Sequence, residues 1–286
     1  MWNLAYFGAL GPEWVIGLSL FLGLFVGSFL NVVIHRLPLM MERQWQLEAA
    51  EIRQEPLPTL PRLNLAVPRS RCPHCGHEIS AIENIPLLSY LLLRGRCRQC
   101  KASISIRYPF VEALTSILSA LVAWKFGASE YTAYALIFLW ALIALAFIDL
   151  DTQFLPDDIT LPLVWFGLLF NLVTNSIPLE EALIGAMSGY LSLWAIYWAF
   201  KLITGKEGMG YGDFKLLAAI GAFLGWKILP VVILMSSAVG AVIGIGMIVL
   251  AKHARETPIP FGPYLATAGI LALFFGPALN TLFFPV

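Results

Sequence analysis

The sequence has 286 residues, 59% of them hydrophobic and only 13% charged, with 18 basic and 18 acidic residues and no net formal charge. Its mean hydropathy is +0.78. These values exclude an ordinary soluble globular protein, in which about half the residues are apolar and a quarter charged, and indicate an integral membrane protein.

The first apolar run, 14–34, is long enough to cross a bilayer core of about 30 Å. No basic stretch precedes it and IHRLP follows it, so it does not read as a cleaved signal peptide. From 35 to 108 the chain is polar. This stretch opens with LMMERQWQLEAAEIRQ, whose spacing predicts an amphipathic helix presenting Met40, Trp45, Leu47 and Ile52 to a membrane surface or partner. Prolines at 56, 58, 61, 68 and 73 then predict an extended connector.

All four cysteines follow as two CxxC pairs, Cys72 with Cys75 and Cys97 with Cys100, separated by 21 residues. Two such knuckles supply the four thiolates of a closed, tetrahedral zinc site, which is structural because it leaves no position open for substrate. The alternative is two disulfides or free thiols. His74 and His77 lie close enough to replace a thiolate, but read better as exposed loop histidines.

Further apolar runs occupy 110–124, 131–148, 159–174, 182–203, 214–225, 229–250 and 261–283, giving about eight transmembrane helices in an all-α polytopic membrane protein with a zinc-ribbon-like domain between the first and second. The run 214–225 is short enough to be re-entrant. With the N-terminus outside, the inside loops carry 16 of the 18 Lys and Arg, which places the cysteine loop in the cytoplasm, where disulfides are disfavoured. Glycines four apart at 23 and 27, 185 and 189, 221 and 225, and 240 and 244 read as close helix-packing sites.

The five aspartates are Asp149, Asp151, Asp157, Asp158 and Asp213. In this topology Asp149 ends the third span and Asp213 begins the sixth, so both carboxylates reach the same membrane face. Ionisable groups at such positions are functional candidates, and two carboxylates sharing a proton can divide general base and general acid work on a water, as in an aspartic protease. Gly208, Gly210 and Gly212, in GMGYGDFKLL, would allow unusual dihedrals before Asp213 and let an extended peptide approach. The blander alternatives make Asp157 or Asp158 the N-cap of the fourth span and Asp213 that of the sixth. Asp151, two residues on from Asp149, points away from it on a helix.

The GMGYGD stretch resembles the GxGD signature of intramembrane-type aspartic proteases. Together with GSFLNVVIHRLP, PRSRCPHC, ENIPLLSYLLLRGRC, ISIRYPFVEALT, FIDLDTQFLPDDITLPL and IPFGPYLA, in that order, it resembles the type IV prepilin peptidases over nearly the whole chain. The resemblance implies a bifunctional enzyme of the bacterial inner membrane. Such an enzyme cuts the basic leader of prepilins and type II secretion pseudopilins after a glycine at the cytoplasmic face, then methylates the new N-terminal amine with S-adenosylmethionine. It also implies catalytic roles for Asp149 and Asp213 and zinc ligation by Cys72, Cys75, Cys97 and Cys100.

No glycine-rich nucleotide fingerprint marks the methyl-donor site. Gly95, Arg107 and Glu112 are the first residues to consider, although Gly95 also reads as a turn glycine. The expected division is 1–35 with the first span, 36–108 as the zinc-binding, methyl-transfer-associated domain, and 109–286 as a seven-helix peptidase core. Expected partners are the substrates and the lipid bilayer, with no nucleic acid. Two other classes fit parts of the pattern, a non-catalytic zinc-ribbon assembly component of a secretion system and a proton-coupled transporter.

Overall fold

Forty-one consecutive residues of the N-terminal region form one helix, α1 (Pro12–Ile52), in the computed structural model, which describes residues 11–58, 61–250 and 259–283. At 1.5 Å per residue it is about 60 Å long, so the first span and the amphipathic segment after it are one continuous rod. Pro38 lies inside it without ending it. The proline-rich segment folds back along this helix: Arg36 Nη1 donates to Asn64 O at 3.0 Å, and Arg43 Nη1 to Pro61 O at 2.8 Å.

The chain divides after residue 128 into two compact units. In the first, α1 packs against α3 (Arg107–Phe126), with the short α2 (Leu88–Leu92) between them in sequence. Gly23 and Gly27 make the α1–α3 approach possible. A Cβ at Gly23 would stand 2.7 Å from Ser116 Cα, and one at Gly27 2.8 Å from Glu112 Cα. Polar contacts pin the register, with Ser116 Oγ donating to Leu20 O at 2.7 Å and Asn31 Nδ2 to Tyr108 O at 3.1 Å.

The second unit holds α4 (Glu130–Thr152), α5 (Asp157–Thr174), α6 (Leu179–Thr204), α7 (Tyr211–Leu224), α8 (Leu229–Leu250) and α9 (Gly262–Phe283). Among the described residues, seven helices are long and apolar enough to cross a membrane. The short candidate at 214–225 is the 14-residue α7, about 21 Å long. Packed against α5, α6 and α9, it is buried on nearly every side. A helix with so little outward surface need not match the bilayer thickness. The cationic pair Lys252 and Arg255 lies outside the described residues.

The α6–α7 crossing is the closest in this unit. A Cβ on Gly185 would collide with the Gly221 carbonyl, and one on Gly189 would stand 2.6 Å from Leu217 O. Small residues allow this approach because lipid offers no hydrophobic force to press helices together. At the far end of α7, Phe223 is stacked between Phe138 and Phe170, with centroids 4.2 Å away on each side. Asn171 Nδ2 donates to the last carbonyls of α7, Ala222 O at 2.9 Å and Phe223 O at 3.1 Å.

Gly189→Leu is therefore expected to destabilise the detergent-purified protein by at least about 1–3 kcal/mol, because backbone rather than a mobile side chain blocks the new atoms. Gly17, with nothing within 4 Å of its Cβ position, is the control: Gly17→Leu should change the thermal midpoint little.

Candidate active site and metal centre

Of the five aspartates, only Asp149 and Asp213 are buried, at 5% and 6% exposure. Asp149 lies in the last turn of α4, which ends where Gln153 adopts a left-handed conformation, φ 54°, and donates its amide to Asp149 O. Oδ2 of Asp149 accepts the amide of Gly262, the first residue of α9, at 2.9 Å. A Cβ at position 262 would stand 2.7 Å from that oxygen, so a side chain there would push the Asp149 carboxylate aside.

Asp213 lies in the first turn of α7. The N-cap is Gly210 rather than Asp213, whose Oδ2 stands 3.7 Å from the Cβ position of Gly210. Its Oδ1 is buried without a hydrogen-bond partner among the described residues. Leu155 lies between the two segments, touching the Cβ positions of both Gly212 and Gly262. Two buried carboxylates thus converge from helix ends, one held by an amide and the other presenting an unpartnered oxygen.

The other acidic residues have different roles. Asp151 and Asp158 are exposed. The N-cap of α5 is Pro156, so the capping role expected for Asp157 or Asp158 is not what the helix uses. Instead Asp157 takes the Lys215 ammonium on both oxygens, at 2.6 and 2.7 Å, joining α5 to α7 two residues beyond Asp213. The three glycines before Asp213 do not use unusual dihedrals, because none has a positive φ. Gly208 abuts the Phe200 ring and Gly212 abuts Leu155, whereas Gly210 has only Asp213 and its own neighbours nearby. The loop that carries them is tied to α6 by Lys201, whose Nζ donates to Glu207 Oε1 at 2.8 Å and to Tyr197 Oη at 3.2 Å.

In the first unit the four cysteine sulfurs lie within 4.8 Å of one another. Cys72 and Cys100 are 3.7 Å apart and Cys75 and Cys97 4.0 Å, far from disulfide contact. The edge of a tetrahedron with bonds of about 2.3 Å is about 3.8 Å, so the set fits zinc–thiolate geometry. Both knuckles have the same construction. In the first, Cys72 N–H donates to His77 O and Gly76 N–H to Cys72 O; in the second, Cys97 N–H donates to Ala102 O and Lys101 N–H to Cys97 O. Amides of Cys75 and His74 aimed at the Cys72 sulfur pull its thiol down to about 7, which favours the ligating thiolate.

His74 is exposed. His77 is not the free loop residue expected: it is half-buried, and its Nε2 lies 3.3 Å from both oxygens of Glu83. The amide and hydroxyl of Ser80, with help from His77, hold the Glu83 carboxyl down at about 2. Gly95 is a turn glycine, with φ +66° and the Tyr90 ring 2.9 Å from its Cβ position. Glu112 Oε2 accepts the Leu87 amide at 2.8 Å, and Arg107 opens α3, half-buried.

Residues 21–126 match the profile of the bacterial peptidase A24 N-terminal domain, and residues 136–245 that of the type IV leader peptidase family. The chain is 59% identical over 276 residues to a protein of Aeromonas hydrophila named prepilin leader peptidase/N-methyltransferase, covering 94% of each chain. The chain belongs to the type IV leader peptidase family. Relatives bearing the same name are 58% identical in Aeromonas salmonicida, over 94% of each chain, and 55% identical in Pseudomonas aeruginosa, over 92% of this chain and 91% of that one. No solved structure matches this family member. Sequence reasoning assigns no roles to Gly262, Leu155, Lys215 or Asn171. Gly262 lies in the IPFGPYLA block, but nothing local marks its amide as a partner for a residue 113 positions earlier.

Proposed function

We propose that this chain is a membrane aspartic endopeptidase that removes the short basic leader of prepilins and type II pseudopilins after a glycine, and then N-methylates the exposed residue. The observation that carries the reading is the burial of Asp149 and Asp213, alone among the aspartates, at facing helix ends. The names of its relatives supply the substrate class and the second activity.

The geometry suggests a division of labour. The Gly262 amide occupies Oδ2 of Asp149, leaving its other oxygen to take a proton from water as that water attacks the scissile carbonyl carbon. Asp213, with its unpartnered Oδ1, gives its proton first to the carbonyl oxygen. As the tetrahedral intermediate collapses, the C–N bond breaks, the proton taken by Asp149 passes to the departing amine, and a diol hydroxyl returns a proton to Asp213 as the carboxyl product forms. Gly210, the open member of the three glycines, would let the extended peptide pass beside Asp213, with Gly208 and Gly212 shaping the approach. We place the site at the cytoplasmic face of the inner membrane and the N-terminus in the periplasm, because that orientation puts most Lys and Arg inside.

Cys72, Cys75, Cys97 and Cys100 would hold one structural zinc ion, which would fix the two knuckles of the 36–108 domain; 1–35 would carry the first span and 109–286 the peptidase core. S-adenosylmethionine would supply the methyl group. Gly95 and Glu112 already serve the fold, through Tyr90 and Leu87, so neither is assigned to that donor.

Metal analysis of the purified protein is expected to give one zinc per chain. Cys97→Ser with Cys100→Ser should remove it and leave the 61–106 segment sensitive to protease, as metal binding and local folding are coupled. Zinc-free protein with an intact loop would contradict this.

Asp149→Asn and Asp213→Asn are each expected to abolish cleavage of a prepilin by folded, inserted protein, while Asp157→Asn retains most activity. Normal cleavage by either dyad variant would overturn the reading.

A further inference from the structure

Leu87 donates its amide to Glu112 Oε2 at 2.8 Å. Glu112 is the sixth residue of α3, about 8 Å along a helix long and apolar enough to span a membrane. The start of α2 is therefore tied to a level within that span. On the other flank, Asn31 of α1 bonds the Tyr108 carbonyl, so both spans enter the membrane beside this element. The side chains of α2 suit that depth. Leu88, Leu91 and Leu92 are 58%, 69% and 82% exposed, and Ile82 and Ile106 nearby are about three-quarters exposed. Single exposed leucines are ordinary, but a cluster next to a span is a surface that something apolar covers.

The chain changes character immediately after α2. Arg94, Arg96 and Lys101 line a cleft of about 440 Å³ whose remaining lining is Leu92 and Leu93. Among the described residues none of the three cations forms an ion pair, although Arg71, Arg98, Lys201, Lys215 and Lys227 all do. Leu92 belongs to both the exposed leucine cluster and the cleft, so the apolar and cationic surfaces are continuous.

We infer that α2 and the loop after it are a lipid-binding element, in which the leucines enter the bilayer interface and Arg94, Arg96 and Lys101 hold the phosphate of an anionic phospholipid. The inference rests on α1 and α3 spanning the membrane and is independent of the dyad. An apolar face set beside cations that pair with no carboxylate among the described residues is the arrangement that binds anionic membrane surfaces. A soluble phosphate would use the cations and leave the leucines uncovered. The leucines therefore favour the lipid.

The test titrates phosphatidylglycerol or phosphatidylcholine into the full-length protein in detergent and counts bound lipid by native mass spectrometry, with the thermal midpoint as fold control. Phosphatidylglycerol is expected to bind more tightly. Arg94→Gln with Lys101→Gln should weaken it roughly fivefold for each charge removed, with a smaller loss for phosphatidylcholine, whose choline offsets the phosphate charge. Leu91→Ser with Leu92→Ser should weaken both lipids, and Arg94→Lys should retain binding. Equal affinity for the two lipids, unchanged phosphatidylglycerol binding in the charge variant, or soluble glycerol phosphate competing as well as the lipid would each overturn the proposal. So would loss in Arg94→Lys matching that in Arg94→Gln.

Discussion

The Cβ-free crossing of α6 and α7 is the contact on which the second unit depends. Where Gly185 and Gly189 meet Gly221 and Leu217, backbone touches backbone, and no larger residue could occupy the positions of the two α6 glycines without separating the helices. That closeness buries α7 between α5, α6 and α9. A short helix buried on nearly every side has few ways to satisfy its ends. Asn171 closes the carbonyl end, and the first turn at the amide end carries Asp213. The packing thus does more than stabilise: it puts a carboxylate where water is scarce.

The second carboxylate is held by a different device. Asp149 stands at the end of a long apolar helix, and its compensating donor comes from the first amide of α9. Burying a carboxylate without a hydrogen bond is costly, and a backbone amide supplies the bond without adding a side chain to the cavity. The Lys215–Asp157 pair, close in sequence to both aspartates, fixes α7 to α5. The site is therefore built from main chain, two carboxylates and one ion pair, with apolar residues such as Leu155 filling the rest.

Much of this is legible in the sequence because membrane helices and metal knuckles obey local rules. Apolar run lengths locate the ends of every spanning helix but α1 to within a few residues, and CxxC spacing brings together four sulfurs that the fold does cluster. The special status of Asp149 and Asp213 follows from their placement at the ends of runs. What is not legible depends on contacts between distant segments. The role of Gly262 requires knowing that α9 returns to the end of α4, and that of Asp157 requires Lys215, 58 residues later. The glycines before Asp213 show the limit of residue-type reasoning: glycine allows positive φ, yet these three adopt ordinary φ, and two of them are needed for close packing. Likewise, the change from apolar to polar surroundings along α1 predicts a span followed by a separate amphipathic helix, whereas the helix runs on past Pro38, which removes one amide donor without ending it.

The central claim is that Asp149 and Asp213 act together on one peptide bond. The most direct measurement is the affinity of the purified protein for a prepilin-derived peptide whose scissile amide is replaced by a hydroxyethylene group, which mimics the tetrahedral intermediate. The account predicts binding at least about a hundredfold tighter than that of an uncleavable amide peptide of the same sequence, with the advantage lost in Asp213→Asn. Equal binding of the two peptides by the wild-type protein would contradict it.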